Sequence, residues 1–165
     1  MVTLHEGKHY LVDNSRIAAP GEPGLIPEEQ AKANTLTYQI MEKHNHSGNM
    51  EHLQIQFDCM GVYDNTYVGI LQTAYASGLK EFPMPCVFTN CHNCLCAVGG
   101  TINTDVHKYA ESACVKSGGI FVPPHEAVIH QYMREMMINA GDMAIVSDSH
   151  TCLLYTSPSP RDGAT

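Results

Sequence analysis

Apolar residues recur through the first half of the chain at spacings typical of helices, with one run typical of a buried strand. A short strand is predicted at residues 9–12, and a Pro/Gly-rich loop follows as far as Gly24. Helical spacing then appears in three stretches. The first begins near Pro27, the second runs from Leu36 to Met41, and the third runs from Val68 to Ser77-Gly78. Residues 44–48 are predicted as a polar loop, and Cys86–Thr89 as a strand.

The second half of the chain alternates strands and helices more clearly. Residues 105–116 are predicted as a helix with Thr104 as its N-cap, and Gly118-Gly119 ends it. A strand at 120–122, a helix opened by Pro123-Pro124 and continued to residue 140, and a strand at 143–146 complete the series. This alternation predicts an α/β fold with a largely parallel sheet covered on both faces, in which ligands bind beyond the carboxyl ends of the strands.

Composition narrows the classes of partner. The formal net charge is −8 and no cluster of basic residues is present, so we expect neither nucleic acid nor a membrane as partner. The amino terminus has neither the basic start nor the apolar stretch of a secretory signal, and we therefore expect a cytoplasmic protein. The oligomeric state is not indicated by any pattern in the sequence.

Polar residues capable of acid–base chemistry follow the last predicted strand. Asp148, Ser149 and His150 stand where the chain turns toward the crevice of the sheet, and His130 lies one helix earlier. Asp148 could accept a hydrogen bond from His130 and so set the tautomer and basicity of the imidazole. The alternative is structural, with Asp148 and Ser149 capping a helix and His130 on a helix flank.

A cysteine-rich loop offers a second kind of chemistry. Cys86, Cys91, Cys94 and Cys96, together with His92, have spacings compatible with zinc or iron. Cys91 and Cys94 form a single CxxC pair, which is half of the usual four-ligand site. The alternative function is therefore a small, non-catalytic metal-binding module built on residues 86–96.

Two motifs carry a resemblance to a known family. Ile129-His130-Gln131, followed by Ser147-Asp148-Ser149-His150-Thr151, resembles the first domain of the aconitase superfamily, which includes enzymes of the isopropylmalate isomerase type. Weaker similarity extends back to about Leu36. The resemblance implies an incomplete three-layer α/β/α domain. His92 matches a family histidine, but Cys91 replaces the aspartate before it, which implies a divergent hydratase branch rather than aconitase itself.

The resemblance also implies a function and a cofactor for the full-length parent protein. That protein would be an iron–sulfur hydro-lyase acting on a small hydroxy-carboxylic acid, with an iron of a [4Fe–4S] cluster as Lewis acid. Ser149 would help to hold substrate or cofactor, Asp148 would orient His130, and protons or hydrogen bonds would come from His92, His130 and His150. The family's cluster cysteines lie downstream of these motifs, so this chain should hold no cluster and should be inactive. A non-catalytic relative that has lost activity through Cys91 is a further alternative.

The last residues differ in character from the rest. Residues 152–165 continue no pattern, and Cys152 to Asp162 match the in-frame translation of a transposase-type sequencing-library adapter. We therefore expect residues 1–151 to be the N-terminal part of an aconitase-like domain and residues 152–165 to be a non-native tail.

Resequencing the source DNA past codon 151 from an adapter-free amplification tests this division. We expect the reading frame to continue into a glycine-rich loop and to supply, later, a lone cysteine and a CxxC pair. A natural gene that ends in Cys152 to Thr165 would contradict the expected truncation and would favour the metal-binding module.

Overall fold

The computed structural model describes residues 3–64, 66–89, 101–148 and 151. The chain divides into two compact units, residues 1–53 and residues 54–165. Within the described ranges, no helix is both long enough and apolar enough to cross a membrane.

The first unit consists of a β-hairpin and two short helices. Strands β1 (Tyr10–Val12) and β2 (Arg16–Ala18) pair antiparallel. The turn between them has left-handed backbone at Asp13 and Asn14 (φ 51° and 54°), a conformation that Asp and Asn tolerate better than most residues. Helices α1 (Glu28–Ala33) and α2 (Leu36–His44) follow, and α2 extends through the first residue of the predicted polar loop. Strand β1 was predicted, whereas β2 lies inside the predicted Pro/Gly-rich loop.

The second unit contains a four-stranded parallel sheet. In chain order its elements are β3 (Cys59–Tyr63), α3 (Tyr67–Ala76), β4 (Cys86–Thr89), α4 (Ile102–Ser117), β5 (Ile120–Phe121), α5 (Ile129–Met136) and β6 (Ala144–Val146). The strands lie in the order β5-β4-β3-β6 and every neighbouring pair is parallel. The carboxyl ends of all four strands therefore meet at one edge of the sheet, and the predicted α/β class is confirmed.

Helices cover both faces of this sheet. On β4, Cys86 and Phe88 pack with residues of α3 and α4, whereas Val87 points to the opposite face and packs with Ile129 and Met133 of α5. This alternation follows from the two-residue period of a strand, and all three β4 side chains are fully buried. The three-layer α/β/α arrangement expected from the sequence is thus present, in a sheet of four short strands.

The central strand β3 was missed by the sequence analysis. Its residues, Cys-Met-Gly-Val-Tyr, form an apolar run of five with neither alternation nor β-branched enrichment beyond one valine. Gly61 lowers strand propensity further, yet tertiary packing requires it there. A Cβ atom added at Gly61 would lie 2.3 Å from Sδ of Met133 and 3.0 Å from Cδ1 of Ile129, so glycine permits the close approach of α5.

The predicted boundaries of two helices are wrong. Helix α4 begins at Ile102 after Thr101, three residues before the predicted start, and Gly118 ends it in left-handed backbone (φ 84°) as expected. Helix α5 begins at Ile129 rather than after Pro124, because the chain first makes a turn in which His125 has φ 72°. It ends at Met136, before the predicted residue 140.

Gly61→Ala should destabilise the second unit by about 1–3 kcal/mol, because the new methyl group overlaps the fully buried Met133 side chain. Urea unfolding followed by circular dichroism measures the change in the free energy of unfolding. Gly69→Ala is the matched control, since nothing lies within 4 Å of a Cβ added there in α3. Its effect should be neutral or stabilising by up to about 1 kcal/mol. Equal effects of the two substitutions would contradict the close approach of α5 to β3.

Candidate functional site

Buried polar side chains gather at the edge where the parallel strands end. Asp64 directly follows β3, Thr89 is the last residue of β4, and Asp148 comes two residues after β6. Their exposed fractions are 1%, 0% and 6%. Burial of polar groups carries a free-energy cost unless they find partners, so three of them on adjacent strands mark this edge as a candidate site.

His130 and Asp148 meet at this edge. Nε2 of His130 lies 3.0 Å from Oδ2 of Asp148, and the two side chains are 12% and 1% exposed. His130 is the second residue of α5, and the helix is held against the sheet by the fully buried Ile129 and Met133 on either side of it in sequence. The structure therefore brings together two residues that the sequence analysis had placed in one site.

The pair has the arrangement of an oriented acid–base histidine. A carboxylate beside Nε2 favours a proton on that nitrogen and stabilises the ring when it becomes charged. Because the carboxylate is almost fully enclosed, its interaction with the imidazole is screened little by solvent.

Ser147 and Thr66 connect the site to the central strand, and neither was a predicted site residue. Oγ of Ser147 accepts a hydrogen bond from the backbone N–H of Tyr63 (3.3 Å) and lies 2.8 Å from Oγ1 of Thr66. The backbone N–H of Ser147 donates to the carbonyl of Gly61 (3.1 Å). Asp64 and Thr66 were overlooked because β3 was overlooked. The available signal was a polar run after an apolar one, the same pattern that identified residues 147–150.

Several predicted residues lie outside the described residues. These are His92, Ser149 and His150, and with them Cys91, Cys94 and Cys96 of the cysteine-rich loop. Their roles stay predictions. The described parts of the site are therefore His130, Asp148 and the residues that support them.

The described cysteines are placed as core residues. Cys59, Cys86 and Cys114 are buried and in the thiol state. Burial raises the pKa of Cys86 and of Cys114 to about 12, and it raises the pKa of Cys59 as well. Cys86 therefore has the packing of a core residue, and among the described residues no group of metal-binding side chains forms around it.

The described residues do not fit an iron–sulfur cluster. Among them, no three His, Cys, Asp or Glu side chains come together as a metal site. A cluster needs several thiolates directed at one point, whereas the three described cysteines are packed within the core among apolar side chains.

An open cleft of about 510 Å³ beside α5 is separate from the pair. It is lined by residues of the 121–127 segment and by Gln131, Tyr132, Glu135 and Met136. Neither His130 nor Asp148 lines this cleft, so the cleft is not part of the acid–base site.

Comparison with known proteins supplies one partial similarity. No family model matches the chain. A stretch of 45 residues, 27% of the chain, is 44% identical to 3-isopropylmalate dehydratase large subunit 2 of Archaeoglobus fulgidus. The matched stretch spans 11% of the length of that relative, and it agrees in class with the resemblance carried by the His130 and Asp148 motifs.

Cys86 and Cys114 should resist alkylation in the folded chain. At about pH 8 a thiol with a pKa near 12 is ionised to about one part in ten thousand, and both side chains are enclosed by the core. Treatment with iodoacetamide and peptide mapping by mass spectrometry measures the rate at each cysteine. The same chain in guanidinium chloride is the control, in which both should react freely. Equal rates in the folded and unfolded chain would contradict the described core.

Proposed function

We propose that the full-length protein is a hydratase or dehydratase that acts on a small hydroxy-carboxylic acid. The observation that supports this most is the buried pair of Asp148 and His130 at the carboxyl edge of a parallel sheet, with Nε2 3.0 Å from Oδ2. The similarity of 45 residues to a dehydratase large subunit supports the same reaction class. The described chain is one part of that protein, and residues 1–151 are proposed to be the N-terminal part of an aconitase-like domain.

In this proposal His130 manages a proton of the reaction. Dehydration requires a proton for the departing hydroxyl group, and hydration requires removal of a proton from water. Asp148 keeps the proton of the neutral ring on Nε2 and stabilises the imidazolium, so Nδ1 accepts and returns the proton. Ser149, His150 and His92 are proposed to complete the site, as the motif resemblance implies.

The cofactor belongs to the parent protein in this proposal. The resemblance implies a [4Fe–4S] cluster, and its ligands would come from sequence beyond Thr151. The chain described here would supply the acid–base pair, and alone it should not turn over substrate. The cytoplasmic location stays a prediction from the sequence.

Turnover by the full-length parent tests the proposal. The protein, reconstituted anaerobically with iron and sulfide, is offered a panel of hydroxy-carboxylic acids that includes 3-isopropylmalate, and formation of the unsaturated acid is followed by its ultraviolet absorbance. His130→Ala and Asp148→Asn should each lower kcat by about 10²- to 10⁴-fold, the range typical of general acid–base groups.

Thr73→Val is the matched control for these variants. Its hydroxyl donates only to the carbonyl of Gly69 on the exposed side of α3 (2.9 Å), so turnover should be unchanged. Two outcomes contradict the proposal: absence of turnover across the whole panel by cluster-loaded protein, or full activity in both His130→Ala and Asp148→Asn.

A further inference from the structure

The start of helix α3 contacts both halves of the candidate site. Thr66 immediately precedes α3 and Tyr67 is its first residue. Thr66 reaches the segment that carries Asp148, and Tyr67 reaches, through β4, the segment that carries His130. Neither residue belongs to the acid–base pair or was predicted from the sequence.

The Thr66 connection is a closed ring of hydrogen bonds. The backbone N–H of Tyr63 donates to Oγ of Ser147 (3.3 Å), and Oγ1 of Thr66 donates to the carbonyl of Tyr63 (3.0 Å). The hydroxyl proton of Thr66 is thereby committed, so the 2.8 Å contact between the two hydroxyls has Ser147 as donor. Each hydroxyl donates once and accepts once. Hydrogen bonds linked in this way strengthen one another. The ring of hydrogen bonds holds Ser147, the residue directly before Asp148, against the end of β3.

The Tyr67 connection runs through the last residue of β4. The phenol of Tyr67 donates to the carbonyl of Thr89, and Oγ1 of Thr89 donates to the carbonyl of Ala127 (2.9 Å). Tyr67 and Thr89 are both fully buried. Ala127 lies three residues before His130, so this chain of contacts holds the peptide that leads into α5.

We propose that Thr66 and Tyr67 are positioning residues that together set the contact between Asp148 and His130. Thr66 fixes Asp148 through Ser147, and Tyr67 fixes the start of α5 through Thr89. A displacement of a fraction of an ångström is enough to break a charge-assisted contact of about 3 Å. Asp148 and His130 therefore each need a support that fixes their position. The proposal rests on the proposed function only in treating the pair as an acid–base element.

The tautomer of His130 measures this positioning directly. In the ¹⁵N-labelled 165-residue chain, the ring nitrogens of each histidine are observed by NMR at a pH where titration shows the ring neutral, and the His130→Gln variant assigns the signal. In the unmodified chain, Nε2–H should exceed Nδ1–H by about 10-fold or more, because the carboxylate of Asp148, 3.0 Å from Nε2, stabilises a proton on that nitrogen.

Thr66→Val and Ser147→Ala should each reduce this excess by about 3- to 10-fold, and Tyr67→Phe, which keeps the ring packing, should reduce it by about 3-fold. Thr66→Ser retains the hydroxyl and should restore the original ratio. Thr73→Val, in the same helix, is the control for a lost threonine hydroxyl and should leave the ratio unchanged.

Three results overturn the proposal. The first is an unchanged tautomer ratio in both Thr66→Val and Ser147→Ala. The second is a ratio in Thr66→Ser that matches Thr66→Val, because steric effects would then explain both. The third is loss of the native amide spectrum in both Thr66→Val and Ser147→Ala, which would make the ring of hydrogen bonds a general requirement for folding. Turnover plays no part in this measurement, so its failure and the failure of the proposed function are distinguishable.

Discussion

The parallel pairing of β3 with both β4 and β6 is the constraint on which the second unit depends. It places the ends of β3, β4 and β6 at one edge, so that Thr89 and Asp148 lie at the same edge of the sheet although 58 residues separate them in sequence. Gly61 on β3 permits the close approach of α5, because a Cβ atom there would lie 2.3 Å from Sδ of Met133. The position of His130 thus follows from the absence of a side chain on the central strand.

Secondary structure with strong periodicity was predictable from the sequence. The strand at residues 86–89 was predicted with the bounds it has, and helix α3 was predicted within one residue at its start and one or two at its end, since apolar spacing and the glycine after the helix determine them locally. The sheet strand β3 was not predictable in this way, because its five residues show no strand period and include Gly61. Its identity as a strand comes from partners on both sides, which a local pattern does not contain.

The meeting of His130 and Asp148 was predictable from the sequence, but the residues that support the pair were not. A histidine and an aspartate separated by one helix and one strand indicated a pair, and the structure places their side chains 3.0 Å apart. Thr66, Ser147 and Tyr67 carry hydroxyls that occur throughout any sequence, and only the fold brings them into a network. The late start of α5 was also not predictable, because His125 adopts a left-handed backbone conformation that histidine as a residue type does not indicate.

The outer edge of β6 has a consequence for handling this chain. In the described sheet β6 is a terminal strand, paired on one side with β3 and offering its remaining backbone groups outward, with Ile145 44% exposed. Such an edge is a template for another strand, whether from a longer polypeptide or from a second molecule. Where this edge is uncovered, concentrated solution favours self-association of the isolated chain and dilute solution favours the monomer.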